Sequence, residues 1–535
     1  MKTVLDLIEN LSQETAAGIT EHDRRGKASL TRPYAEVVAR ARRIGAAFLE
    51  AGVQPGDPVF LQLPNSIQLV ECFLGAILAG ALPCCLAPPR ALGGIEAFQA
   101  RIAGLFSAFP RAHLVADDET GERSGQRFLL APDPADDAPA CPPREADPED
   151  VAFLQLTSGT TQSPRGVQIS HRALLANARG ICHGGRASPR DAYVSWLPLY
   201  HDMGLVGLGF CAWYSRAPLY LFRPETFVAR PLVWLQTIAS LKDHRVISTA
   251  PNFAYQHCVN ALPAEKLAGS GLDLSPWRLA GCGAERVRPE TLAAFNERFR
   301  PHGFPRNAFL PCYGMAEATL AVTFTLLDGE PREVDGHVSC GWPVLDTEVV
   351  IRDDAGNPLP DGVDGQITVR GPGLCSGYTG DANVPQPVQD GWLQTGDRGH
   401  LRDGELFVTG RYKDLIIVEG HNVDPDEIEF HGDQVVQQPG CRSGAFAVEA
   451  DGRERAVLVV ECGKEPDEAL AAWADAIGSR VASALGFKLY DLGFVRRGGL
   501  PTTSSGKVQR SKLRDLFLAG ELTFLWRQSA QDETA

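Results

Sequence analysis

The sequence predicts an α/β protein in two lobes, and three observations carry that expectation. Amphipathic helical segments alternate with short apolar, strand-like ones from Tyr34 to Leu310, the pattern of an α/β sheet. Between Asp346 and Gly410 the pattern changes to short alternating strands broken by Asp-Gly and Gly-Asn turns, as in antiparallel β structure. Beyond Gly410 comes a smaller unit with strands of its own, a long helix and a basic tail. The expected architecture is a large N-terminal lobe, residues 1–410, of two α/β sheet subdomains plus a small antiparallel β subdomain. A small α+β C-terminal lobe, residues 411–535, follows.

Taken in order, residues 1–30 read as one amphipathic helix with Val4, Leu5, Leu7, Ile8 and Leu11 on a face. Tyr34 to Gly52 repeats apolar residues at helical spacing and closes on glycine. VQPGDPVFLQLPNS reads as turn, strand, turn; Ile67 to Gly80 is an apolar helix, and LPCCLA a short buried strand. Ala131 to Asp150 is rich in proline and acid and reads as an exposed connection. Ala192–Leu199, Val246–Thr249, Trp277–Gly281 and Ala308–Leu310 are expected strands, and Pro289–Phe299 a helix. In the second lobe AFAVEA and AVLVVEC are strands and Asp467–Leu485 a helix.

Composition narrows the function. A length of 535 residues implies about three or four structural units, with 44% hydrophobic residues to fill their cores. A net charge of −15 argues against broad nucleic-acid binding. No uncharged apolar run reaches about 18 residues, so no membrane span is expected. The N-terminus mixes acids into its apolar pattern and lacks a signal-peptide core, which points to a cytoplasmic protein. The thirteen cysteines are scattered without metal-ligand spacing and read as reduced, buried small hydrophobes.

The chemistry centres on LQLTSGTTQSPRG, Leu154 to Gly166, lying between β-like segments that continue with Val167, Ile169 and His171. Its glycines allow close backbone approach, its hydroxyls and N–H groups donate, and Arg165 adds one cation, a combination suited to a triphosphate. It is not a Walker A loop, and taken alone such a cluster is more often an ordinary turn.

Further along come LPLYHDMGL, GCGAE, YGMAEAT, QTGDRG, GRYKDLI and PTTSSGKVQR. With the loop, and in this order, they make the chain resemble the acyl-adenylating superfamily of acyl-CoA synthetases, adenylation domains and luciferases, and most of all its fatty acyl-AMP ligase branch. The resemblance runs from Tyr34 to about Leu516. It implies that ATP and a carboxylic acid give an acyl-adenylate and pyrophosphate, after which a thiol takes the acyl group. It also implies that the small lobe is mobile.

The resemblance further implies roles. Thr157, Ser158, Gly159, Thr160 and Thr161 would hold the β- and γ-phosphates, and Arg165 stands where the family has lysine. Gly283, Ala284 and Glu285 would meet the adenine edge and Tyr313 would stack on the base, within the turn Tyr313-Gly314-Met315-Ala316-Glu317. Glu317, with Thr157, would ligate Mg2+. Asp397 would accept from the ribose hydroxyls, and Arg411 would reach the ribose or α-phosphate. Lys413 matches the hinge between lobes, Lys507 the adenylation lysine and His201 a gate beside the acyl carboxylate. Leu205 to Tyr214 and Pro251 to Tyr255 are expected to wall the acyl pocket.

The acceptor thiol is open between an acyl carrier protein and CoA. The motifs favour a carrier protein, and the basic residues Arg496, Arg497, Arg510, Lys512 and Arg514 would suit an acidic one. Against this, Thr323 to Val338 is short where that branch has an insertion, and Gly420 matches a glycine that leaves the pantetheine tunnel open in CoA-using relatives. A non-catalytic nucleotide- or acyl-binding homologue and a phosphotransferase are the competing readings.

Overall fold

The computed structural model describes residues 1–88, 95–157, 165–327, 329–379, 385–418, 421–438, 441–450, 452–503 and 506–529, and of residues 97, 157, 421, 422 and 529 the backbone only. The chain divides into two compact units, Met1–Thr395 with His400–Val408, and Gly396–Gly399 with Thr409–Ala535. Among the described residues no helix is long and apolar enough to cross a membrane.

In the first unit the helix Val4–Leu11 is opened by Thr3, whose hydroxyl accepts from Asp6 N–H while Asp6 answers onto the Thr3 amide. The expected helix over residues 1–30 is corrected here. Gly18–His22 and Ala28–Pro33 form an antiparallel pair instead. The turn between them is closed by Asp23 N–H donating to the Lys27 carbonyl at 2.9 Å and by Asp23 Oδ1 accepting from Arg25 and Lys27. That Asp-to-Gly26 turn chemistry outcompetes helical continuation.

A nine-stranded sheet organises the unit. Its centre is parallel: Phe309–Gly314, Trp277–Gly283, Arg245–Pro251, Asp191–Ser195, Leu219–Leu221 and Gly18–His22 lie side by side. Antiparallel strands finish both edges. Aromatic side chains lock the central strands together. Trp277 meets Trp234 edge-on at 4.8 Å and Phe304 at 5.2 Å, and the Tyr255 hydroxyl donates to the Gly281 carbonyl at 2.7 Å.

A second, four-stranded parallel sheet orders Leu82–Cys85, Pro58–Gln62, His113–Ala116 and Phe128–Leu130. The helix Ile67–Ala79 is capped by Ser66 and ended by Gly80 at φ 82°. Smaller antiparallel sheets carry Val151–Thr157, Arg165–Ser170 and Gly377–Thr379, and the strands from Glu348 to Arg411. His171 does not extend the strand before it; it begins the helix His171–Gly184, capped by Ser170.

The second unit has a four-stranded sheet, Ser443–Ala450, Arg453–Cys462, Asp491–Arg496 and Phe524–Ser529, packed on Asp467–Leu485 through Ile477, Val481 and Phe494. All thirteen cysteines are free thiols, and burial pushes Cys84 up to about 12, which fits inert core residues.

Candidate active site

Parallel sheets offer their carboxyl ends to ligands, and Gly283 to Glu285, Tyr313 to Glu317 and His201 lie at or just beyond such ends. Pro251 is opposite Gly283, and Cys282 opposite Pro311, so two neighbouring strands end level and the third runs on past them to Gly314. Gly283-Ala284-Glu285 leaves the end of Trp277–Gly283, and Tyr313 to Glu317 runs out of the end of Phe309–Gly314. The closeness has a cost in sequence. A Cβ on Gly283 would sit 2.6 Å from Cys312 Sγ and 2.7 Å from its carbonyl oxygen, and one on Gly314 would collide with the Leu320 carbonyl.

Ala284 stands at φ 66°, a left-handed conformation that costs an alanine roughly 1 kcal/mol or more. Glu285 turns its carboxylate back to accept from Phe253 N–H at 2.5 Å, in the first turn of the helix Asn252–Ala261. A carboxylate is favourable at a helix N-terminus, so this side chain fixes the Gly283–Glu285 backbone in place.

Tyr313 is the penultimate residue of its strand and half-buried, with Thr323 opposite and its hydroxyl 4.0 Å from Met315 Sδ. After it, Met315 is extended and Ala316–Ala318 forms a single 3-10 turn. Glu317 lies in that turn, half-buried. Its Oε1 accepts from the Tyr378 hydroxyl at 2.6 Å, and among the described residues nothing donates to Oε2. No cluster of three or more His, Cys, Asp or Glu side chains able to hold a metal occurs among the described residues. One carboxylate with a spare oxygen still fits Mg2+, which is commonly held by one or two carboxylates and the substrate's phosphates.

Of the phosphate loop, Ser158, Gly159, Thr160 and Thr161 lie outside the described residues, and of Thr157 only the backbone is described. The strands on either side pair with Thr157 opposite Arg165. The Arg165 guanidinium lies over the Tyr378 ring, 5.9 Å from its centre.

His201 follows the strand Asp191–Ser195 in a tightly held segment. Asn65 donates to the Leu197 carbonyl at 2.8 Å and accepts from Leu199 N–H at 2.9 Å. Gln155, on the strand entering the phosphate loop, donates to the Tyr200 carbonyl at 2.8 Å. The loop strand and the histidine segment are thereby tied together. The His201 ring lies 4.8 Å from that of Tyr200, and its carbonyl accepts from Leu205 N–H at the head of a π-helix, Met203–Phe210. Helices of that kind recur at functional sites. Asn65 stands outside every motif and Gln155, inside the loop stretch, has no role assigned by sequence; what both do shows only in the fold.

In the second unit Arg411 donates from Nε to Asp397 Oδ1 at 2.9 Å, Asp397 being buried and Arg411 exposed. Lys413 is exposed on the short turn Tyr412–Asp414; Gly420 lies outside the described residues. Lys507 is exposed on a loop that closes on itself: Thr503 N–H donates to the Lys507 carbonyl at 2.8 Å, and Lys507 N–H to the Thr503 hydroxyl at 3.1 Å. Arg442 holds the same loop by donating to the Gly506 carbonyl at 2.6 Å.

The model of the AMP-binding enzyme family matches residues 21–379. The chain is 34% identical to a putative acyl-CoA synthetase of Caulobacter vibrioides, covering 94% of this chain and 93% of the relative. It is 33% identical to the medium-chain-fatty-acid acyl-carrier-protein ligase JamA of Moorena producens, covering 91% and 90%. A solved structure from a study of fatty acyl-adenylate ligases of E. coli and L. pneumophila matches with a TM-score of 0.85 at 32% identity, over 97% of this chain and 98% of that one. The chain therefore belongs to the AMP-binding enzyme family, as an acyl-AMP ligase on the fatty acyl-AMP ligase branch of the acyl-adenylating superfamily.

Proposed function

We propose that this enzyme joins a fatty or other apolar carboxylic acid to ATP, giving an acyl-adenylate and pyrophosphate, and then transfers the acyl group to the phosphopantetheine thiol of an acyl carrier protein. The observation that carries the reading is the register of parallel strands, Cys282 opposite Pro311, that sets Gly283–Glu285 beside Tyr313–Glu317. That edge offers backbone to an adenine, an aromatic face to stack on it and a carboxylate for the accompanying Mg2+.

In this reading Thr157 to Thr161 and Arg165 bind the β- and γ-phosphates, and Asp397 with Arg411 takes the ribose. His201 borders the acid's carboxylate, and Lys507 neutralises charge between that carboxylate and the α-phosphate as the new bond forms. Mg2+, bound through Glu317 and Thr157, would offset phosphate charge. Residues 1–410 act as the adenylate-forming lobe; residues 411–535 move about Lys413 and supply the lysine.

A carrier protein is favoured as acceptor by JamA, whose name says that it acts on one. CoA is the alternative, since the Caulobacter vibrioides relative is named for CoA and Gly420 suits its arm. Of the basic residues expected to face a carrier protein, Arg496, Arg497, Lys512 and Arg514 are exposed. Arg510 is turned inward onto acids of its own unit and leaves that surface.

The test is exchange of labelled pyrophosphate into ATP with a panel of carboxylic acids, followed by thioester formation on a phosphopantetheinylated carrier protein or on CoA. Acid-dependent exchange with preferential carrier loading is expected. No exchange with any acid would make the chain a binding protein, ADP release a phosphotransferase, and equal use of CoA would remove the acceptor preference.

A further inference from the structure

The metal-ligand role of Glu317 rests on its motif, yet its side chain is held by a residue that no motif singled out. Tyr378, in the strand Gly377–Thr379, lies opposite Val167 on the strand that leaves the phosphate loop. Its hydroxyl donates to Glu317 Oε1 at 2.6 Å, the short distance expected for a phenol on a carboxylate. Burial, reinforced by the Glu317 charge, pushes the phenol well above its ordinary range, so it remains a donor at neutral pH.

The backbone around Glu317 is equally constrained. Cys375 N–H donates to the Glu317 carbonyl at 2.8 Å. Two residues on, Thr319 is at φ 67° and ψ −51°, and Leu320 N–H donates across it to the Ala318 carbonyl at 2.8 Å. That is a γ-turn of the rare, strained kind, which persists only when its surroundings over-determine it. They do so here. The Thr319 hydroxyl donates to the Gly373 carbonyl at 2.7 Å, and the Asn177 amide donates to the Ala318 and Ala321 carbonyls at 3.2 and 2.8 Å while accepting from Ala321 N–H at 3.0 Å. With the backbone clamped, the Glu317 side-chain torsions are the freedom left, and the Tyr378 hydroxyl removes it. Arg165 over the Tyr378 ring connects this row to the phosphate loop.

We propose that Tyr378 is a positioning residue for Glu317: by engaging Oε1 it orients the carboxylate so that Oε2 serves the divalent cation that accompanies the nucleotide. The proposal rests on the ATP-dependent reading above. Hydrogen-bond partners that orient a ligating carboxylate are worth about 10- to 100-fold in metal affinity.

Tyr378→Phe keeps the ring and its contact with Arg165 and removes only the hydroxyl. ATP binding is measured by calorimetry at a series of Mg2+ concentrations and in EDTA. Half-saturation by Mg2+ is expected to move up at least about 10-fold in the variant, with ATP affinity in EDTA unchanged. In the Glu317→Gln variant the Mg2+ dependence is lost, and adding Tyr378→Phe changes nothing further. A hydrogen bond serving stability alone would lower the melting temperature and leave the Mg2+ dependence at the wild-type value, which overturns the proposal. If the phenylalanine variant does not fold, Tyr378→Met is read by the same criterion. A wild-type protein whose ATP binding ignores Mg2+ overturns the metal role of Glu317 itself, a separate result from a variant that retains wild-type dependence.

Discussion

Arg510 donates from Nε and Nη2 to the two carboxylate oxygens of Glu429, at 2.7 Å each. The same guanidinium reaches Asp414 at 3.2 Å and also Asp426. Asp414 closes the turn that holds Lys413, Asp426 and Glu429 belong to the helix Pro425–Val435, and Arg510 begins the helix that follows the Lys507 loop. One half-buried cation therefore ties the turn that holds Lys413 to the chain leaving Lys507. Burial pushes the Glu429 carboxyl up to about 8, against the pull of Arg510.

Removing that cation leaves three acids without their partner. Arg510→Ala is expected to destabilise the second unit by about 3–5 kcal/mol, the usual penalty for breaking a buried ion pair from one side. Arg510→Lys restores little, because an ammonium lacks the fork that meets both Glu429 oxygens. Urea unfolding followed by the fluorescence of Trp473 and Trp526, both packed against that unit's core, reads the effect. A loss below about 1 kcal/mol would show that the cluster is relaxed in solution.

Lys507 is exposed and anchors no core, so its replacement tests chemistry more than folding. Lys507→Ala is expected to lower acid-dependent pyrophosphate exchange by at least about 10²–10³-fold, the scale on which a positioned charge acts in a transition state. Circular dichroism and melting should match wild type. A variant retaining near-normal exchange would end the catalytic assignment.

Much of this was legible in the sequence where periodicity is strong. The helices Tyr34–Glu50, Ile67–Ala79, Pro289–Phe299 and Asp467–Leu485 carry long apolar repeats with proline or glycine at their ends, and the parallel strands are short apolar runs between them. The hairpin at 18–33 was hidden because one strand is largely exposed, the other mostly half-buried, and neither carries a run of apolar residues, so the turn at Asp23 decides the local structure. The site was legible as motifs but not as contacts. Tyr378 is 61 residues from Glu317, and Arg510 is 81 from Glu429, and only folding reveals such pairs. Asn65, Gln155 and Asn177 escaped for the same reason: a buried amide serving another segment's carbonyls leaves no local signature.

The tight approach at the strand ends makes Gly314 a sensitive position. Its strand bulges there, pairing Gly314 with Ala321, and the Leu320 carbonyl, which accepts from Met315 N–H at 2.8 Å, occupies the space of a side chain. Gly314→Ala would displace the Leu320 carbonyl or Met315, at about 1–3 kcal/mol of stability. Because Tyr313 and Glu317 flank the displaced backbone, ATP affinity should fall with it. Chemical denaturation and ATP titration of one preparation test both, and a variant normal in each would show that the strand end has slack.

His171 supplies a pH dependence that the adenylation chemistry does not use. Its Nδ1 accepts from Val4 N–H at 3.3 Å, joining the first helix to the one that begins with His171. Burial, then the nearby Arg144 charge, lowers the imidazole from 6.5 to about 4, while Asp150 and Asp6 pull weakly the other way. The unfolded chain binds a proton at about 6.5, as a free imidazole does, and the folded chain resists until about 4. Between those values the unfolded state holds more protons, so stability falls as pH drops from 6.5 to 4; above 6.5 the contribution is complete and constant. His171→Asn keeps an acceptor for Val4 but cannot titrate. Urea midpoints at pH 7.5, 5.5 and 4.5 should therefore fall more steeply for wild type than for the variant, the carboxylates common to both cancelling in the comparison. Parallel curves would mean that His171 takes its proton in the folded protein at an ordinary pH.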